Sequence, residues 1–248
     1  MILKNRSERI SALKKAISEK ILVIDGAMGT AIQDCNLTAS DFGGADLEGC
    51  NEYLVMTRPD IIQKIHEDYL KAGADIVETN TFGGTPLVLN EYGLGSQFRE
   101  INMKAAELAR NAADKYSVGD RICFVAGSVG PTTKAISVTG GITFDELIEN
   151  FKEQAKALYD GGVDYFLLET CQDMRNVKAS LIAINDFQKD FKKEERLPIA
   201  VSLTIEPMGT MLAGQTVEAA MVSLSHIDLL YLGLNCATGP EFMTDHIR

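Results

Sequence analysis

The stretch V-D-Y-F-L-L-E-T (163–170) decides the class of fold. It contains a near-continuous apolar run, which is typical of a strand that is buried on both faces of a parallel sheet. Five similar runs lie along the chain, and each is followed by a loop and then by a helical pattern. These runs are I-L-V-I-D (21–25), A-D-I-V-E-T (74–79), I-C-F-V-A-G-S (122–128), I-A-V-S-L-T (199–204) and D-L-L-Y-L-G-L-N-C (228–236).

The segments between these runs carry helix signals. Thr143 and Glu146, for example, have the spacing of a capping box, and Leu147 and Phe151 begin an apolar face behind them. Alternation of strands and helices along the whole chain predicts an α/β fold with a parallel sheet. A doubly wound nucleotide fold would carry G-x-G-x-x-G after its first strand, whereas the turn here is D-G-A-M-G-T (25–30). The sequence therefore favours a (β/α)₈ barrel.

The number of strands raises a question about that barrel. A complete barrel has eight strands, and the sequence predicts six. The strand ends at 169, 204 and 236 are 35 and 32 residues apart, so two further units would need about 60–70 residues. We expect one domain, residues 1–248, that holds the first six βα units, with the last two not included in this sequence. Open first and sixth strands would favour either a longer parent protein or self-association through the barrel edges.

Composition excludes several classes of partner. A net charge of −11 over 248 residues argues against a nucleic-acid surface, which needs clustered Lys and Arg. No apolar stretch reaches the length of a membrane span, and residues 1–20 read as an amphipathic lead-in helix rather than a signal peptide. The five cysteines are well separated and form no C-x-x-C pair, so we expect a cytoplasmic protein without a disulfide framework.

Polar side chains follow the predicted strands, at the end of a barrel where catalytic groups lie. Glu169 stands at the wall of the core, so its carboxylate needs a cation or a hydrogen-bond donor. Each of the others also has a simpler interpretation. Asp25 is compatible with a role in shaping a turn, and Glu78 is compatible with an outward-facing ion pair with a lysine. Cys236 by itself is a weak indication of a metal site, because tetrahedral zinc needs three or four ligands. The strand-end residues are Asp25 and Gly26; Glu78, Thr79 and Asn80; Ser128; Glu169 and Thr170; Thr204 to Glu206; and Asn235 and Cys236.

Six motifs, in this order, resemble the homocysteine S-methyltransferase family, and within it the homocysteine-binding domain of cobalamin-dependent methionine synthase. The resemblance covers the chain from about residue 10 and implies a TIM barrel that transfers a methyl group to the thiol of homocysteine. The motifs are D-G-A-M-G-T (25–30), N-E-Y-L-V-M-T-R-P-D-I-I (51–62), A-G-A-D-I-V-E-T-N-T-F-G (72–83), G-S-V-G-P-T (127–132), L-L-E-T (167–170) and G-L-N-C-A-T-G-P (233–240).

The resemblance also implies a metal and a set of site residues. The family binds the sulfur of homocysteine on zinc held by three cysteine thiolates, and Cys236 matches the first of them. The other two form an adjacent Cys-Cys pair, which does not occur in this sequence. Glu169 would pair with the substrate ammonium, and the turn after the first strand would offer backbone N–H groups to the carboxylate. The implied substrate contacts are Asp25, Gly26, Ala27, Glu169 and Asn235, with Glu78, Thr79, Asn80 and Ser128 behind them.

The methyl donor implied by the closest branch is methylcobalamin, which is carried on a separate domain and recharged from methyltetrahydrofolate. Three alternatives stay open. In the first, the chain is a truncated, non-catalytic thiol-binding module without a complete zinc site. In the second, it is a homocysteine methyltransferase that uses S-methylmethionine or betaine. In the third, it is a barrel of unrelated chemistry, such as a lyase using Glu78 and Glu169. Because one thiolate cannot close a tetrahedral site, we expect this chain alone to bind zinc weakly and to be inactive.

Overall fold

A parallel sheet of five strands forms the centre of the molecule. The computed structural model describes residues 5–247, so Arg248 and the first four residues of the predicted lead-in helix lie outside it. Each strand pairs in parallel with the next along the chain, as in the wall of a barrel. The strands are β1 (Ile76–Glu78), β2 (Phe124–Val129), β3 (Tyr165–Cys171), β4 (Ile199–Leu203) and β5 (Leu232–Leu234).

The run 21–25 joins the β1 edge of this sheet through one isolated parallel bridge, between Ile24 and Ile76. The carbonyl oxygen of Val23 accepts hydrogen bonds from the N–H groups of Asp75 and Ile76, and the N–H of Asp25 donates to the Ile76 carbonyl. All six predicted strand runs therefore take part in the sheet, in sequence order. The first is a short edge segment, and Ile21 at its start is 92% exposed.

Eleven α-helices surround the sheet within residues 5–247, together with short 3₁₀ turns. The capping box predicted at Thr143 and Glu146 is present at the start of the helix Phe144–Gly161. The helices are α1 (Arg6–Glu19), α2 (Met28–Gln33), α3 (Ala39–Phe42), α4 (Leu54–Thr57), α5 (Pro59–Ala72), α6 (Pro86–Leu89), α7 (Phe98–Tyr116), α8 (Phe144–Gly161), α9 (Met174–Gln188), α10 (Val217–Leu224) and α11 (Pro240–Ile247). Among these described helices, none combines the length and apolar character that a membrane crossing requires.

The two faces of each strand belong to different cores. Phe166 and Leu168 of β3 pack in the larger cluster with the apolar faces of α7, α8 and α9. Their neighbours Tyr165 and Leu167 point to the opposite face, into a smaller cluster that also holds Leu13 of α1. Alternation of this kind is expected for barrel strands, whose side chains point in turn to the helices and to the interior.

A buried ion-pair network fastens α1 to the sheet. Asp164 is fully buried, and its carboxylate accepts hydrogen bonds from Arg9 Nε at 2.6 Å, from Arg110 Nη1 at 2.7 Å and from the Val125 N–H at 2.9 Å. A buried carboxylate that is paired in this way is costly to disturb, because either partner would be left as an uncompensated charge. The lead-in helix α1 is thus held on the barrel by the long-range ion pair between Arg9 and Asp164.

Candidate functional site

A cavity of about 500 Å³ opens at the carboxyl ends of the strands. It collects residues from the first strand run, from β1, β2 and β3, from the segment that follows β5, and from nearby loops and turns. Every residue that the sequence singled out as a substrate, metal or supporting residue lines it: Asp25, Gly26, Ala27, Glu78, Thr79, Asn80, Ser128, Glu169, Asn235 and Cys236. Glu206, at the end of the fifth predicted run, does not line this cavity.

Carboxylates dominate the polar lining of the cavity. Asp25, Glu78 and Glu169 lie in it together, and no Lys, Arg or His belongs to the residues that line it. The Oδ1 atom of Asp25 accepts a hydrogen bond from the Glu78 N–H at 3.0 Å. Desolvation raises the pKa of Asp25 to about 8, and the nearby negative charge of Glu169 adds to this effect. At neutral pH the Asp25 carboxyl is therefore mostly protonated.

Glu78 and Glu169 are two carboxyl groups that line the same cavity and influence each other's ionisation. Desolvation raises the pKa of Glu78 well above its ordinary value, and the charges of Glu169 and Asp25 raise it further. Desolvation also raises the pKa of Glu169, but hydrogen bonds from Ser128, Glu78 and Thr170 oppose that rise. The Ser128 hydroxyl donates to Glu169 Oε1 from β2, the strand between the two glutamates. The surroundings therefore favour the ionised form more strongly at Glu169 than at Glu78.

The end of β3 is shaped so that it aims Glu169 and Thr170 at the cavity. The register with β4 shifts between Leu168 and Cys171, an irregularity of the kind that a β-bulge produces, and Thr170 has a φ of +53°. Bulges re-aim side chains and are common beside active sites. A left-handed φ is costly for a β-branched residue, so Thr170 needs support from its neighbours.

Asn235 supplies that support and also contacts Cys236. Its Oδ1 accepts hydrogen bonds from the Thr170 N–H at 3.0 Å and from the Ser202 hydroxyl at 2.7 Å. Its Nδ2 donates to Thr170 Oγ1 at 2.9 Å and to Cys236 Sγ at 3.3 Å. The side chain of Asn235 thus connects β3, β4 and the thiol that follows β5.

Backbone strain is concentrated around the cavity. Within the described chain five non-glycine residues have a positive φ, and three of them line the cavity: Ala27 at +39°, Thr170 at +53° and Cys236 at +61°. Ala237, at +51°, follows Cys236 directly, and Asn36 is the fifth. Strain of this kind is characteristic of functional sites, where the surrounding structure compensates for it.

Glu52 and Phe82 line the cavity although the sequence did not single them out. Glu52 lies on the 3₁₀ turn Asn51–Tyr53, and its Oε1 accepts the Gly83 N–H at 2.7 Å. Phe82 also lines the cavity and is 42% exposed. An added Cβ at Gly130 would lie 2.6 Å from the Phe82 carbonyl oxygen, so the approach of these two loops requires glycine. The motif around Glu52 was recognised, but no periodicity or spacing marked Glu52 itself.

The remaining predicted residues fix the loop after β1. Thr79 Oγ1 accepts the Ser128 N–H at 3.0 Å and lies 2.6 Å from Thr81 Oγ1. Asn80 is buried, and its Nδ2 donates to the Asn51 carbonyl at 2.7 Å. Thr79 and Asn80 therefore tie the β1 loop to its neighbours, while Gly26 and Ala27, which follow the adjacent first strand run, also line the cavity.

The thiol of Cys236 is exposed, and Cys236 is the sole cysteine among the cavity-lining residues. Across residues 5–247 no three histidine, cysteine, aspartate or glutamate side chains are grouped so that they could hold a metal ion. A three-thiolate zinc site does not fit this residue set, because the chain offers a single thiolate there. The other cysteines, Cys35, Cys50, Cys123 and Cys171, are also free and do not line the cavity.

Comparison with known proteins identifies relatives of the chain. Residues 22–248 match the family described as homocysteine S-methyltransferase. The chain is 39% identical over 236 residues to methionine synthase of Mycobacterium tuberculosis and 38% identical over 244 residues to that of Mycobacterium leprae. These alignments cover 95% and 98% of the chain, but the chain spans only about a fifth of the length of either relative (19% and 20%).

Solved structures of the Escherichia coli homocysteine methyltransferase MmuM have the same fold. The metallated form superposes with a TM-score of 0.76 at 22% identity, over 96% of this chain and 82% of that one. The oxidized form gives 0.73 at 23% identity, over 90% and 76%. The predicted architecture, an α/β fold of the (β/α)₈-barrel type, is confirmed by these superpositions and by the ordered parallel sheet.

Proposed function

Because this chain belongs to the homocysteine S-methyltransferase family, we propose that its cavity binds homocysteine and presents the thiol for methylation to methionine. The observation that carries this proposal is the composition of the cavity: three strand-end carboxyl groups and one exposed thiol face the same space, without a lining cation. A zwitterionic amino acid supplies the missing positive charge through its ammonium group.

Glu169 is the group that we assign to the substrate ammonium. Its carboxylate is the best stabilised anion of the cluster, because Ser128 and Thr170 donate to it. A partly buried carboxylate without a cation gains most from a ligand that brings one. Asp25, which is largely protonated at neutral pH, would then act beside it as a hydrogen-bond donor, and the backbone at Gly26 and Ala27 would face the substrate carboxylate.

We assign Cys236 to the sulfur end of the cavity. A free thiol with an ordinary pKa near 8.5 is mostly protonated at neutral pH, whereas methyl transfer needs the thiolate. In a complete site, zinc would supply that chemistry by binding the substrate sulfur as a thiolate. Cys236 would be one ligand of such a site, and residues 5–247 do not provide the two others, so no step is assigned to a metal held by this chain alone.

We propose methylcobalamin, recharged from methyltetrahydrofolate, as the donor, and a separate cobalamin-carrying domain as the partner. The higher identity to the two methionine synthases, 38–39% against 22–23% for MmuM, supports this choice. Phe82 is the one aromatic residue of the described cavity lining, and the chain has no tryptophan. Onium groups such as those of betaine or S-methylmethionine are recognised by cages of several aromatic rings.

One observation favours a second candidate for the chain in isolation. Since Cys236 is a lone thiolate, the 248-residue chain by itself fits a thiol-binding module that holds zinc weakly. Equilibrium dialysis of the isolated chain against zinc, followed by a mild chelator, tests this: we expect loss of the metal. Retention of one zinc per chain would contradict it.

The function itself is tested in the full-length natural protein, by homocysteine methylation with methylcobalamin. Cys236→Ser should abolish methionine formation, and Glu169→Gln should raise the KM for homocysteine by about 100-fold, because hydrogen bonds to charged groups are worth about 1.5–3 kcal/mol and the charge itself is lost as well. Cys35→Ser, at the other exposed cysteine, is the matched control and should leave the rate unchanged. Full activity of Cys236→Ser would refute the assignment.

A further inference from the structure

The end of β3 carries two consecutive side chains into the cavity, which a regular strand does not do. Successive residues of a strand point to opposite faces, so positions three apart also face opposite sides. Leu168 and Cys171 nevertheless pack in the same cluster, the one that is formed with α7, α8 and α9. Between them, Glu169 and Thr170 both line the cavity. The register shift between Leu168 and Cys171 therefore brings Glu169 into the site and returns the strand to its buried face.

A turn of the backbone at Thr170 accompanies this shift. Its φ of +53° lies in the left-handed region, which is costly for a β-branched residue and persists only where the surrounding structure holds it. The Thr170 N–H, which belongs to the peptide bond after Glu169, donates to Asn235 Oδ1 at 3.0 Å. In return, Asn235 Nδ2 donates to Thr170 Oγ1 at 2.9 Å. Asn235 thus holds the turned residue at two points.

Asn235 lines the cavity, yet its amide is already occupied by contacts within the chain. Its Oδ1 also accepts the Ser202 hydroxyl at 2.7 Å, and its Nδ2 also donates to Cys236 Sγ at 3.3 Å. A side-chain amide has two donor hydrogens and one oxygen with two lone pairs. Contacts among residues 5–247 therefore use both donor sites and both acceptor sites of Asn235 before any ligand enters.

The orientation of this amide follows from its partners. A backbone N–H only donates, so the atom that faces the Thr170 N–H must be the oxygen of Asn235. The amide nitrogen then faces Thr170 Oγ1 and Cys236 Sγ, which can both accept. The backbone of Asn235 is held as well, because its N–H donates to the Leu203 carbonyl at 3.0 Å. The side chain that supports Thr170 is thus itself fixed on β4.

We propose that Asn235 is a positioning residue: it holds Thr170 in the left-handed conformation and so keeps the carboxylate of Glu169 in the cavity. This rests on the proposed function only in naming the group that Glu169 meets, the ammonium of homocysteine. Asn235 acts through the backbone of Thr170 and does not itself touch the substrate. The family resemblance implies a direct substrate contact for Asn235 instead, and the two roles predict different results.

Crystal structures of variants of the 248-residue chain test the conformational part without any substrate. In Asn235→Ala, Thr170 should leave the left-handed region, because both supports are lost while the steric cost of a β-branched residue remains. In the double variant Asn235→Ala/Thr170→Gly the positive φ should persist, since glycine adopts it without that cost. A Thr170 that keeps its φ near +53° in Asn235→Ala would overturn the proposal.

A double-mutant cycle in the full-length protein separates positioning from direct contact. Asn235→Ala should raise the KM for homocysteine about tenfold in the wild-type background, because Glu169 is no longer held towards the ammonium group. In a Thr170→Gly background the same replacement should raise the KM by at most about threefold, because glycine needs less support. A direct substrate contact would be lost equally in both backgrounds, so equal factors would overturn the proposal.

The matched control is Asn150→Ala. Asn150 also accepts a backbone N–H from a distant segment, that of Leu87 at 2.9 Å, but it does not line the cavity. Its replacement should leave the KM within about twofold of the wild type. A rise as large as that of Asn235→Ala would point to general loosening and overturn the proposal. If the wild-type protein does not methylate homocysteine, the proposed function fails, whereas the crystal structures still decide whether Asn235 holds Thr170.

Discussion

Replacement of Asp25 by asparagine should stabilise the unliganded protein. Asp25 has an ordinary pKa of 3.8 and a folded-state pKa of about 8, so at pH 7 the unfolded chain is ionised and the folded chain is protonated. Each pH unit between 3.8 and 7 costs about 1.4 kcal/mol, which sets an upper limit of about 4 kcal/mol at pH 7. Asparagine keeps the oxygen that accepts the Glu78 N–H and has no proton to lose, so the cost disappears.

The expected gain depends on pH in a defined direction. A raised folded-state pKa means that the folded protein binds more protons, and stability is therefore lost as the pH rises from 3.8 towards 8. Asp25→Asn should gain roughly 2–4 kcal/mol at pH 7 and about 1.5 kcal/mol or less at pH 5. Urea unfolding of the isolated chain at pH 5, 6, 7 and 8 measures both values.

The matched control for this measurement is Asp120→Asn. Asp120 is an exposed aspartate far from the cavity, and its replacement should change stability by less than about 0.5 kcal/mol at each pH. A variant Asp25→Asn that is less stable than the wild type at pH 8, or whose advantage does not grow with pH, would refute the assignment of a desolvated, protonated Asp25.

Three further substitutions test other parts of the structure. Asp164→Asn should lower the free energy of unfolding, measured in urea, by roughly 3–5 kcal/mol, because two guanidinium groups lose their shared buried carboxylate. The control Asp160→Asn removes an exposed ion pair with Arg99 and should lower it by less than about 1 kcal/mol. Gly130→Ala should lower stability by about 1–3 kcal/mol and shift Phe82, since the new Cβ would lie 2.6 Å from the Phe82 carbonyl; an unchanged thermal midpoint would contradict that contact. Asn235→Ala should lose about 1–3 kcal/mol, because the Thr170 N–H and the Ser202 hydroxyl lose their shared acceptor; an unchanged urea midpoint would contradict those contacts.

The strand ends could be located from the sequence because burial on both faces leaves a continuous apolar run, as in 163–170. In a parallel sheet all such runs end at one edge, so Asp25, Glu78, Glu169 and Cys236 had to converge once the order of the strands was known. The run 21–25 reads as a full strand in the sequence but forms only a short, one-sided strand segment in the structure. It pairs on one side through the single bridge at Ile24, and an edge segment with one partner has fewer ladder hydrogen bonds to hold it extended.

Other features depend on contacts that no local pattern encodes. Glu52 lies among short helices and 3₁₀ turns between residues 28 and 57, and its partner Gly83 is 31 positions away. The turned backbone at Thr170 is hydrogen-bonded by Asn235, which lies 65 positions later in the sequence. From the sequence Glu78 was equally compatible with an outward pair with a lysine. Its direction is settled by the register with β2 and by the Asp25 contact, which are properties of the assembled sheet.

The carboxyl cluster connects stability with ligand binding through one physical cause. Asp25, Glu78 and Glu169 are desolvated together, and without a cation in the cavity they are kept in the folded state only by protonation and by donors such as Ser128. A ligand that brings an ammonium group binds the folded state alone and favours the ionised carboxyl groups, so its binding adds to stability. Asp25→Asn removes the cost of protonating Asp25 on folding, but it also removes a carboxyl group that can ionise beside the ammonium. It should therefore stabilise the unliganded chain and weaken ligand binding. A variant at Asp25 that gained stability at pH 7 and also bound homocysteine more tightly in the full-length protein would show that the cluster is not tuned to a cationic group.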